Sequence, residues 1–156
     1  MRFVIDLNVF RSAWTGKNPI GIAEEHSAIL LLQIVRKHYK IVVTKEIEKR
    51  YMDLFQQLKS KAPQGPKGLN VINLYFRAKQ MGIVDNTRHS SDLPPLSNET
   101  HIKDEDKHYA RLANLTKAIL ITYDEPLIKA LQTQGVEAAK PDDPRVLLAL
   151  QLQNQK

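Results

Sequence analysis

The chain reads as an α/β protein, a parallel sheet with helices on both faces. Two observations predict this. Short apolar runs alternate with longer stretches of helical spacing, and each run is uniformly apolar, as strands buried on both faces are. At 156 residues the length suits one domain over 1–156, with no internal repeat and no low-complexity tract.

"RFVI" is the first predicted strand, ending at Asp6. Asn18–Tyr39 then reads as a loop feeding a helix, with Ile22, Leu30 and Ile34 at helical spacing and Ala23 and Leu31 beside them. "KIVV" is the second strand. Thr44 is placed to cap the next helix, Glu46 falls in its first turn, and Ile47, Tyr51, Leu54, Phe55 and Leu58 form its apolar face. "SKAPQGPKG" is a loop by its Pro and Gly content, and "LNVINLYFRAKQMG" is a helix closed by Gly82. Residues 83–102 are polar, contain a double proline and read as a long loop, a length that in a compact domain points to function. A helix follows from Lys103 to Thr116, then the strand "AILIT", a helix over Glu125–Gln134, the strand "VEAA" and a last helix over "PRVLLALQLQ".

Composition narrows the chemistry. The chain has no cysteine, which excludes disulfides, thiolate zinc sites and a cysteine nucleophile. No stretch approaches the roughly 18 to 20 apolar residues of a membrane span, and no signal peptide is visible, so a cytoplasmic protein is expected. The net charge is +6, and residues 36–67 alone hold nine Lys and Arg against three acids. Such a local patch suits a polyanion, with Lys45, Lys49 and Arg50 as candidate phosphate contacts. The five histidines lack the close spacing of a zinc site.

The acids are more specific. Parallel α/β sheets bind ligands beyond the carboxyl ends of their strands. Asp6 stands at the end of the first strand and Asp124 just after "AILIT", so neighbouring strands bring both carboxylates to one edge. Their repulsion favours a cation, and oxygen ligands select Mg²⁺ or Mn²⁺. Asp104 and Asp106 open a helix nearby. The macrodipole alone also favours acids there, and Asp124 equally suits an N-cap.

"FVIDLNVF" resembles the first strand of the PIN-domain nucleases, which include the VapC-like toxin ribonucleases. "KDEDKHYARLA" and "AILITYDEPLIKAL" are similar to the later acidic segments of that family, in the same order, and "GVEAAKPDDPRVLLAL" is similar to its closing strand and helix. The resemblance covers both ends of the chain. It implies a three-layer α/β/α sandwich and a Mg²⁺- or Mn²⁺-dependent endoribonuclease. Asp6, Asp106 and Asp124 match its metal-site acids, Asp104 a less constant acidic position, and Asn8 and Thr122 its supporting polar residues. Small members of the family are often toxins, so the resemblance makes an antitoxin a candidate partner, although the sequence itself does not show one.

One position departs from the family. The helix after the second strand usually carries a Glu where this chain has Arg50. Glu46, one turn earlier on the same face, either supplies the missing carboxylate or pairs with Arg50. A degenerate RNA-binding module without activity is therefore the alternative reading. The apolar residues of the two middle helices, Leu54, Phe55 and Leu58 with Leu74, Tyr75 and Phe76, exceed the apparent need of one sheet face and predict a homodimer.

Overall fold

The computed structural model describes residues 1–65 and 68–152, with side chains except at 149, 151 and 152. Pro66 and Lys67 of the predicted loop and basic run, and Gln153 of the predicted last helix, lie outside the described residues.

Five parallel strands, β1 (Arg2–Ile5), β2 (Lys40–Thr44), β3 (Val84–Arg88), β4 (Ile119–Ile121) and β5 (Ala138–Ala139), form one sheet in the order β3-β2-β1-β4-β5. The helices are α1 (Leu7–Thr15), α2 (His26–Arg36), α3 (Lys45–Leu58), α4 (Val71–Gln80), α5 (Asp104–Thr116), α6 (Glu125–Gln132) and α7 (Pro144–Leu152). The chain builds outward from β1 to β3, then returns to the other side of β1 with β4. Right-handed crossovers consequently place α1 to α4 over one face and α5 and α6 over the other. The result is a three-layer α/β/α sandwich, and its strand order reverses between β1 and β4.

β1 and β2 are buried beyond their first residues, and the apolar run of β4 lies beneath α5. An aromatic cluster ties α1, α3 and α4 together: Phe10 packs edge-on against Tyr51 at 4.7 Å and Tyr75 at 5.9 Å between ring centroids. Tyr51 also donates its hydroxyl to the Ile5 carbonyl, fixing α3 to the carboxyl end of β1. Thr44 caps α3 as expected, accepting the Ile47 amide at 3.1 Å.

Three elements differ from the sequence reading. α1 begins immediately after Asp6, so Asn8 lies in a helix rather than a strand, and Ile22 is exposed ahead of α2 instead of on its apolar face. The long loop over 83–102 contains β3, whose polar residues "VDNTR" gave no apolar signal because an edge strand has one neighbour and is only partly covered. Leu54, Phe55 and Tyr75 are buried within the chain, whereas Phe76 is 43% exposed. Most of the apolar surface behind the dimer expectation is therefore used internally.

Candidate functional site

A cleft of about 400 Å³ opens at the carboxyl edge where the strand order reverses. Asp6 enters it from the end of β1, Asp124 from the turn after β4, and Asp106 from the first turn of α5. Asn8, Arg50, Lys103, Glu105, Tyr109 and Tyr123 also line it.

Local structure explains how the acids are held. Asp6 precedes α1, and its carboxylate lies beside the Leu7 and Asn8 amides at the start of that helix. Its own amide donates to the Ile121 carbonyl at 2.9 Å, closing the β1–β4 pair. Thr122, fully buried, donates to Asp6 Oδ2 at 2.6 Å and accepts the Asp124 amide at 3.2 Å. Asp124 caps α6 through the Leu127 amide at 3.0 Å. Its capping role and its place in the cleft coexist, because only one carboxylate oxygen is engaged by that amide.

The electrostatics follow from this crowding. Burial pushes Asp6 above the ordinary aspartate range, with Asp124 adding repulsion against the hydrogen bond from Thr122. Asp106 is pushed up to about 6, first by burial and then by the charges of Asp6, Asp124 and Glu105. An all-carboxylate donor set of mutually repelling groups fits a hard divalent cation in chemistry and charge. Among the described residues, no three His, Asp or Glu side chains are gathered closely enough to close around a metal ion.

The other expected residues divide. Asp104 is not brought to the cleft: its side chain is 95% exposed and pairs with Lys107 Nζ at 2.6 Å. Glu46 is not brought there either, nor does it pair with Arg50. It accepts the Ser90 amide at 2.7 Å and faces His89 Nδ1 at 3.0 Å, contacts that hold its pKa down at about 2. The reason lies in β3, invisible in the sequence, which delivers His89 and Ser90 to the start of α3. Lys45 and Lys49 stay exposed on α3, and of the three candidate cations only Arg50 lines the cleft.

Sequence reasoning missed Glu105, Tyr109 and Tyr123 as cleft residues. A helical projection would have found Tyr109, three residues after Asp106 and so on its face of α5.

No family model matches the chain, and no curated protein does. Among solved structures it is similar to a PilT N-terminus domain protein from the archaeon Sulfolobus solfataricus, with a TM-score of 0.55 and 17% identity, over 96% of this chain and 93% of that one. The fold is PIN-like. At that identity the likeness is one of architecture. Among the described residues no helix is long and apolar enough to cross a membrane.

Proposed function

We propose that this PIN-like protein is a cytoplasmic, divalent-metal-dependent endoribonuclease. One observation carries the reading: Asp6, Asp106 and Asp124, drawn from three separate elements, share a single cleft at the reversal of strand order. Partly buried like charges of this kind are costly unless a cation offsets them, and catalytic sites are where such cost is retained.

Asp6, Asp106 and Asp124 would hold Mg²⁺ or Mn²⁺. Such an ion, when bound, supplies Lewis-acid neutralisation of charge on a phosphodiester. Thr122 fixes the rotamer of Asp6 and the backbone of Asp124 together, so the two carboxylates keep their relative placement. Asp106 must be deprotonated to act as a ligand, which ties cation affinity to pH near 6. Lys45 and Lys49 would draw the RNA backbone along α3 toward Arg50.

Cleavage of labelled single-stranded and hairpin RNAs with Mg²⁺, Mn²⁺ or EDTA tests this. Metal-dependent cutting that is lost in both Asp6→Asn and Asp124→Asn is the expected result. Arg50 in the cleft favours the second reading, an RNA-binding module without activity; a folded chain that binds RNA and never cuts it would select that reading.

A toxin role, with an antitoxin as partner, belongs to the same proposal and is tested by growth arrest on induction. The exposed Phe76 supports a homodimer through α4, for which light scattering at micromolar concentration is the test.

A further inference from the structure

Arg50 and Tyr109 meet over the carboxyl edge of the sheet with donors to spare. Arg50 comes from α3 and Tyr109 from α5, one from each helix layer. Arg50 Nη1 donates to the Glu105 carbonyl at 2.9 Å, and the guanidinium sits 5.9 Å from the centre of the Tyr109 ring. A guanidinium has five N–H donors. Although Asp6, Glu105, Asp106 and Asp124 line the same cleft, Arg50 forms no ion pair among the described residues.

Tyr109 supplies an independent sign. The residue is only 3% exposed; the Arg50 guanidinium and the Leu7 amide face its oxygen, and among the described residues the hydroxyl completes no hydrogen bond of good geometry. Buried hydroxyls are normally satisfied, and with donors on its oxygen side the O–H proton of Tyr109 is left for an acceptor in the cleft that the residue lines. A simple tie between α3 and α5 would need the Glu105 contact but neither the spare donors nor the open hydroxyl.

We propose that Arg50 and the Tyr109 hydroxyl form a receptor for the non-bridging oxygens of an RNA phosphate, holding the substrate by the chain's own donors without a divalent cation. The inference rests on RNA being the ligand of this cleft, as proposed above. It gives the guanidinium a purpose among the acids that line the same cleft. The guanidinium is the right group, because its planar fork can take two oxygens of one phosphate, which an ammonium cannot.

The test is anisotropy of a short labelled single-stranded RNA in EDTA, titrated at several salt concentrations. Arg50→Gln is expected to weaken binding by about tenfold and to flatten the slope of log affinity against log salt by about 0.7, one phosphate contact. Arg50→Lys keeps the slope and loses a few-fold in affinity. Tyr109→Phe also loses a few-fold with the slope unchanged, because it removes a donor and no charge.

An unchanged affinity and slope in Arg50→Gln overturns the proposal. So does an equal loss in Arg50→Gln and Arg50→Lys with no change of slope, which is the signature of a structural tie. The outcomes separate from those of the cleavage reading. A chain that never cuts RNA but loses affinity in Arg50→Gln keeps this inference, and one that cuts RNA while its binding in EDTA ignores position 50 loses it alone.

Discussion

Thr122 and Asp6, 116 residues apart in sequence, are joined by a hydrogen bond of 2.6 Å across the neighbouring strands β1 and β4. The same hydroxyl oxygen accepts the Asp124 amide, so one small side chain sets two of the three acids. Thr122→Val keeps the shape and removes the donor. Burial then acts on Asp6 with less opposition, its pKa rises further, and the acid limb of the pH–activity profile moves to higher pH. Activity or metal affinity should fall by about 10- to 100-fold, as for other partners that orient ligands. A Thr122→Val profile that overlays the wild type would remove this role.

Asp106 makes the cleft a source of instability. Its folded pKa of about 6 lies above the ordinary aspartate value of 3.8, so the folded state holds the proton more tightly than the unfolded one. Between those two values stability declines as pH rises, and above about 6 the charged carboxylate is a standing cost. Asp106→Asn cannot ionise. Its Tm should exceed that of the wild type by a few degrees near neutral pH, with the difference closing toward pH 4. Calorimetry at several pH values in EDTA measures this, and curves that run parallel across the whole range would contradict it.

Divalent cations should reverse that cost. A ligand that binds only the folded state at about 100 times its Kd adds about 2.7 kcal/mol. Mn²⁺ or Mg²⁺ is accordingly expected to raise the wild-type Tm near neutral pH, to do so less as pH falls through about 6, and to do little for Asp106→Asn. The same rise in Asp106→Asn as in the wild type would place the cation elsewhere.

The parts of the fold and site that were legible in sequence are those set by local burial. The apolar runs of β1, β2 and β4 announce strands covered on both faces, and the positions of Asp6 and Asp124 just beyond two of them follow directly. What stayed hidden depends on neighbours. β3 is an edge strand whose polar residues are explained by their contacts: Asn86 donates to Glu48 at 2.9 Å, and Asp85 holds Arg88 at 3.2 Å. α1 was hidden because it starts one residue after a strand, so Leu7 to Phe10 could be read as either element. Position 50 was visible as a departure, but its place over the Tyr109 ring in the cleft was not.

The acids of α3 give the sharpest separation between structure and function. Glu46 is held near a pKa of about 2 by the Ser90 amide and His89, outside the cleft. Glu48 is different: burial pushes it up, but hydrogen bonds from Tyr75 at 2.6 Å, Lys79 at 3.0 Å and Asn86 outweigh that and leave it below the ordinary glutamate value. Its contribution to stability is therefore present above that ordinary value and lost as pH falls through the lower folded one. Glu48→Ala strands the part-buried hydroxyl of Tyr75 and should cost about 2 to 4 kcal/mol, read as a shift in the urea midpoint. Glu46→Gln removes an exposed contact and should leave RNA cleavage within about threefold of wild type, whereas Asp124→Asn lowers it by at least about 100-fold. A Glu46→Gln loss as large as that of Asp124→Asn would mean that Glu46 swings into the cleft when RNA binds, and would make it a fourth acid of the site.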